Sequence, residues 1–176
     1  RLVSQTTNSA SLRDGKLERA IPGQEIGVTM RILADGAWGV HSTSDVSSIS
    51  QQVAPTFRLA KAVAARRSSS QHSVGLAEVP IIEDVNHWRS VKDIRDTDLD
   101  TRIECMLAID DEAKDDDKIV STATGWSDEH IHTELMTTEG MNRIWSFQRS
   151  LINGMVTARD GSEVVSYRMR HGGEGG

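Results

Sequence analysis

Two Asp-Gly pairs, Asp14-Gly15 and Asp35-Gly36, each stand between runs in which apolar and polar residues alternate. Asp-Gly in that setting is the strongest short-range hairpin signal, because a two-residue turn that matches strand twist needs positive φ at both centres. The chain therefore opens on three strands joined by two tight turns. Leu2 to Leu12 reads as a polar strand and Leu17 to Ile21 as its return, with Pro22-Gly23 turning the chain again. Ile26, Val28, Met30 and Ile32 alternate with Gly27, Thr29, Arg31 and Leu33, so that strand buries one face most strongly. Trp38 and Val40 share a face on the strand after it. A meander of this kind needs a cover for its apolar side.

The next segment supplies one. Val46, Ile49, Val53, Phe57, Ala60 and Val63-Ala64 recur at helical spacing, and Ser44 or Asp45 can cap the start. Pro55 conflicts with one unbroken helix, so the spacing predicts a kink, or a short first helix and a main helix from Pro55 to Arg67. Residues 68–80 read as a polar linker, in which Pro80 keeps Val79-Pro-Ile-Ile82 away from a central strand. Asp98 to Lys114 shows Leu99, Ile103, Met106-Leu107 and Asp110, a second amphipathic helix with Asp96 or Asp98 near its positive N-terminus. Five strand-like stretches follow: Ile119–Thr124, Ile131–Thr137, Arg143–Phe147, Met155–Arg159 and Val164–Met169. They are separated by Gly125, Glu139-Gly140, Asn153-Gly154 and Asp160-Gly161, the last another hairpin signal. The order predicts an α+β fold, antiparallel β-meanders with two main helices packed on the sheet. Residues 1–67 form a meander plus helix and 81–176 a helix plus strands, expected to combine into one domain.

Length and charge narrow the function. A chain of 176 residues can bury a real core. Its net charge of −6 speaks against nucleic acid as a direct partner, since such binders carry a basic excess; Arg66-Arg67 is too short for a phosphate track. No apolar stretch approaches the roughly 18 residues that span a bilayer, and Arg1-Leu-Val-Ser lacks an apolar signal region. No membrane partner is expected. The single Cys105 cannot form an intrachain disulfide and fits a reducing compartment, the cytoplasm. Starting at Arg1 rather than Met points to a piece of a longer protein.

Candidate sites are few. His130 and His132, within Glu129–Glu134, fall on one face of a strand and could share a zinc ion; without a third ligand at motif spacing, a solvated face with two histidines is the plainer reading. Asp110–Lys118 clusters carboxylates but lacks the glycine and terminal Glu of a calcium loop. His171–Gly176 lacks the Lys-Ser/Thr of a phosphate loop and reads as a connector. Cys105 lies beside Met106 and Leu107 as a small buried hydrophobe. Trp38, Trp126 and Trp145 read as core, with Trp38 also suited to a ligand rim. The residues assign no catalytic and no cofactor-binding position.

The run Leu12-Arg-Asp-Gly-Lys-Leu-Glu18, with Gly27, Arg31-Ile-Leu33, Gly36-Ala-Trp-Gly-Val40 and Ser42-Thr-Ser-Asp45, resembles the opening of the TldD/PmbA family. These proteins were once described as modulators of DNA gyrase and are now regarded as zinc metallopeptidases. Leu59-Ala60, the Ile119-Val-Ser-Thr strand and Arg170-His-Gly-Gly-Glu-Gly-Gly176 are similar to later parts of the same pattern. The resemblance implies a parent that is a cytoplasmic zinc peptidase acting on peptides or unfolded proteins as a homo- or heterodimer of homologous subunits. It also implies a His-Glu-x-x-x-His helix and a later cysteine, both beyond Gly176. Zinc is thus expected in a C-terminal domain of the parent and no cofactor in this chain. In the parent, zinc would polarise the peptide carbonyl and the motif Glu would serve as base. The alternative is a stand-alone binding or dimerisation module. The polar Leu2–Leu12 strand is a candidate edge for pairing with an extended peptide.

Overall fold

The structure, a computed structural model, describes residues 1–66, 73–87 and 91–174. Seven strands, β1 (Leu2–Arg13), β2 (Lys16–Ala34), β3 (Ala37–Thr43), β4 (Glu83–His87), β5 (Ile119–Met136), β6 (Asn142–Asp160) and β7 (Glu163–Gly173), form one sheet. Its order is β3-β2-β1-β5-β6-β4, with β7 also paired to β6. Helices α1 (Val53–Ala65) and α2 (Leu99–Ala113) complete an α+β fold, α1 following a 3-10 helix at Val46–Gln52.

Both opening turns are as the sequence predicts. Asp14 and Gly15 have φ of 50° and 78°, Asp35 and Gly36 of 51° and 74°, the paired positive values of a type I′ hairpin. The third Asp-Gly behaves differently. β6 ends at Asp160 and β7 starts at Glu163, its register partner, so the loop is Gly161-Ser162. Only Gly161 has positive φ there, 61°, which makes the turn type II′.

Three expected breaks are strand interior. β2 runs unbroken through Pro22-Gly23, β5 through Gly125 and β6 through Asn153-Gly154. The reason is close approach rather than turning. A Cβ on Gly23 would lie 2.5 Å from Thr7 Oγ1, one on Gly125 would lie 2.9 Å from Asn153 Oδ1, and one on Gly154 would lie 3.0 Å from Met169 Cγ. Gly172 and Gly173, expected in a connector, pair with Leu151 and Ser150. β1 lies between β2 and β5, so it offers no free edge to a peptide. Arg67, linker residues 68–72 and Gly175-Gly176 lie outside the described residues.

The chain divides into two compact units, one of Arg1–Ser4, Glu25–Asn86 and His132–Trp145, the other of Gln5–Gln24, His87–Ile131 and Ser146–Gly176. In the first, α1 sits on β3. Pro55 falls in the first turn of α1, where a missing N–H leaves no bond unmade. The seat is built from small residues: Thr56 and Ala60 are buried, and a Cβ on Gly39 would stand 2.3 Å from the Thr56 carbonyl oxygen. The expected apolar stripe is only half covered, for Val53, Phe57 and Val63 remain 45–48% exposed. Gly39 lets the two backbones meet at Thr56, so the contact is made by small residues rather than by the large side chains of the stripe. Strand β4, too polar to read from sequence, is pinned to β6 by Arg143, whose Nε and Nη2 donate to Asp84 at 2.8 and 3.2 Å.

The second unit has a conventional apolar centre. Ala10, Leu12 and Met106 are buried, packed by Leu99, Ile103, Leu107 and Trp126. Helix α2 starts where expected: the Asp98 carboxylate accepts from the Thr101 N–H at 2.7 Å. Hydrogen bonding from the Thr101 side chain, and then from this N–H, holds its pKa below the usual carboxylate range.

Candidate functional site

The densest polar assembly lies in the second unit and begins with periodicity. On β5, Thr122, Thr124 and Asp128 alternate inward and are buried, with Trp126 between them on the same face. On α2, Arg102 falls one turn before Met106 and two before Asp110, and all three are buried. Helix and strand thus aim a guanidinium and a carboxylate at each other inside the unit. Arg102 Nε donates to Asp128. The other Asp128 oxygen accepts from Trp126 Nε1 at 2.7 Å and from the Ser150 hydroxyl at 2.5 Å.

The remaining Arg102 donors reach the carbonyls of Ile94, Thr97 and Asp98. Gln148, also buried, accepts from the Ile94 N–H at 3.1 Å and donates to the Lys92 carbonyl at 2.6 Å. Together the two side chains fasten the segment before α2. Every hydrogen bond named here is internal, so the assembly fixes a loop rather than offering reactive groups. A cavity of about 240 Å³ borders it, reached by Thr101, Cys105 and Trp126. Cys105 is exposed, not the buried hydrophobe expected; the inward α2 positions are held by Arg102, Met106 and Asp110.

A larger hollow of about 700 Å³ opens between the faces of β1, β5, β6 and β7, lined by Asn8, Glu129, Arg149 and Arg170 among others. Glu129 Oε1 accepts from Gln5 Nε2 at 2.6 Å. Arg149 forms an ion pair with Oε2, although without the alignment of a hydrogen bond.

The other expected sites resolve as follows. His130 and His132 are both partly buried on β5. His132 Nε2 lies 3.1 Å from Glu134 Oε1, and His130 adds to the field that helps lower Asp93. The Arg95 side chain is the main cause there, and it holds Asp93 at about 2. Among the described residues, no group of three or more His, Cys, Asp or Glu is placed to hold a metal ion. The acidic run Asp110–Lys118 is bound up with its own neighbours: buried Asp110 takes bonds from Thr122 and Lys114, and Lys118 reaches Asp160 at 2.7 Å. Trp126 joins the core. Trp38 lies 4.5 Å beneath the Arg31 guanidinium and Trp145 6.0 Å from that of Arg143.

Sequence reasoning missed Arg102, Asp128 and Gln148. A signal existed for Arg102, since it shares the helical face of Leu99, Ile103 and Met106. No local signal marks Gln148, whose partners lie more than 50 residues away.

Fold and site together define an α+β scaffold whose buried polar groups serve its own architecture. The model of PmbA/TldA metallopeptidase domain 1 matches residues 1–69, and that of the PmbA/TldA metallopeptidase central domain matches residues 92–176. The chain belongs to this PmbA/TldD family. It is 24% identical over 172 residues to a metalloprotease of Methanocaldococcus jannaschii, a match covering 96% of this chain and 37% of that protein. In fold it is similar to a proposed modulator of DNA gyrase from Thermotoga maritima (TM-score 0.74, 15% identity, 98% of this chain and 38% of that one). It is also similar to TldE from Thermococcus kodakarensis (TM-score 0.66, 15% identity, 97% and 38%). The chain therefore spans somewhat over a third of the length of these relatives.

Proposed function

We propose that this chain is the non-catalytic N-terminal part of a zinc-dependent peptidase that cleaves peptides or unfolded proteins in the cytoplasm. Its role there is to help form the dimer or to wall the substrate chamber. The observation that carries the reading is the pair of family matches, to the first and the central domain of a metallopeptidase, on a chain that spans 37% of its curated relative. No hydrolytic step is assigned to any residue of this chain. His130 and His132 are kept as the first metal ligands to test. Within the parent, residues 1–67 and 81–176 act as one scaffold joined by the 68–80 linker.

Metal content and peptidase activity, measured on this chain and on the longer parent side by side, test the proposal. Zinc and activity in the parent alone are expected. Stoichiometric zinc in this chain would overturn the reading and make Glu129–Glu134 the first segment to mutate. The alternative, a stand-alone binding or dimerisation module, is favoured by the exposed strand β7. A coding segment for a His-Glu-x-x-x-His helix downstream of Gly176 decides between them.

A further inference from the structure

Helix α2 covers one face of the strands it packs on, and the other face is hollow. The side chains of Asp128 and Ser150 meet on the α2 side, so by alternation Glu129 on β5 and Arg149 and Asn153 on β6 point the opposite way. Two hollows lie on that second face, of about 700 and 720 Å³, and they adjoin at Leu151 and Arg170, which line both. The register with β6 sets Arg170 opposite Asn153 and Arg168 opposite Met155, so both arginines stand on the hollow face. From Arg168 to Glu174, which line its two ends, the furrow is about 20 Å long at strand spacing.

The charges lining it do not balance. Arg13 is paired with Glu18, Arg149 with Glu129, and Asp128 with Arg102 on the α2 side. Among the described residues, the Arg168 and Arg170 side chains have no ion-pair or hydrogen-bond partner, and neither does that of Glu174. Two cations thus stand against one anion, in a chain whose net charge is −6. Charge on an outer strand also guards its edge against stray pairing. Edge protection explains a charge on β7, but not two cations on the same side of it, lining a furrow whose other charges are neutralised.

We infer that this furrow receives an extended acidic stretch of the polypeptide substrate, with a carboxylate side chain on every second residue. The inference rests on the proposed peptidase reading and adds the chemistry of what the chamber wall holds. Arg168 and Arg170 are two residues apart on one strand, roughly 7 Å, which is the repeat of same-face side chains in any extended chain. Each guanidinium offers a planar fork of donors that matches a carboxylate. A single-stranded nucleic acid is the poorer fit, because no aromatic side chain lines either hollow to stack a base.

Two fluorescein-labelled heptapeptides, amidated at the C-terminus, test the inference by anisotropy on this chain and on the longer parent. One alternates threonine and glutamate, the other threonine and glutamine. The glutamate peptide is expected to bind at least about tenfold more tightly, with an advantage that shrinks as salt rises. Arg168→Gln and Arg170→Gln should each remove most of that advantage. Arg168→Glu with Arg170→Glu should turn the preference toward a threonine–lysine peptide. Circular dichroism checks the fold of each variant, and a reversed preference itself shows that the site is still built. Equal binding of the glutamate and glutamine peptides would overturn the inference, as would a glutamate preference that the substitutions leave unchanged. So would tighter binding of a labelled oligothymidine, or a preference shown by this chain and lost in the parent, whose own residues then fill the furrow. Peptidase activity in the parent without any acidic preference removes this inference and leaves the proposed function standing. A switchable preference in a parent that cleaves nothing removes the proposed function and leaves the binding site.

Discussion

Helices α1 and α2 both lie on sheet, and they are seated by opposite means. At α1 the contact is made by taking bulk away: Gly39, Thr56 and Ala60 let two backbones meet, while Val53, Phe57 and Val63 stay about half exposed. At α2 the contact is filled by Leu12 and Met106 and then locked by the buried Arg102–Asp128 pair. Close approach gains many small dispersion contacts but removes little apolar surface from water. A filled seat removes more surface, and a buried ion pair adds geometric definition while making the seat intolerant of losing either partner.

The sharpest way to break the contrast is Arg102→Ala. It strands the Asp128 carboxylate and releases the carbonyls of Ile94, Thr97 and Asp98, and it should cost about 3–5 kcal/mol. Denaturant unfolding would show it, and replacing both partners by Arg102→Met with Asp128→Leu should recover much of the loss. Leu12→Ala comes next, at about 2–5 kcal/mol from lost burial and a residual cavity. Gly39→Ala should cost about 1–3 kcal/mol, because the new methyl collides with the Thr56 carbonyl. Hydrogen exchange would distinguish these variants: Gly39→Ala should speed exchange first in α1, Leu12→Ala first in α2.

The smallest effect is set by pH. The Thr101 side chain and N–H lower the Asp98 pKa, and the Arg95 side chain lowers that of Asp93. Their stabilisation is therefore complete above the usual carboxylate range near pH 4 and is lost as pH falls through the lowered values, toward about 2 for Asp93. Thermal melts from pH 6 to pH 2 should show a shallower acid slope for Asp98→Asn than for wild type. Equal slopes would remove the cap from the account.

Much of the fold is legible in sequence because its signals are local. Asp14-Gly15 and Asp35-Gly36 state a turn type in two residues, and Asp98 marks a helix start three residues before the amide it accepts. What is not legible depends on partners far along the chain. Gly125 and Asn153 each look like a strand end, yet each explains the other, since the missing Cβ of one makes room for the side chain of the other. The same holds for the site: Arg102 and Asp128, read alone, are ordinary charged residues, and only their meeting inside the unit accounts for both.

The long strands carry a consequence for how the molecule is made. β1, β2, β5 and β6 each contribute to both compact units, so the first unit still lacks His132–Trp145 when most of its residues have been synthesised. A chain emerging from the ribosome N-terminus first must therefore hold its opening meander and α1 without their closing strands until β6 has been translated. Birth order and fold order part company here, and the half-finished meander is the stage at which a chaperone has most to protect.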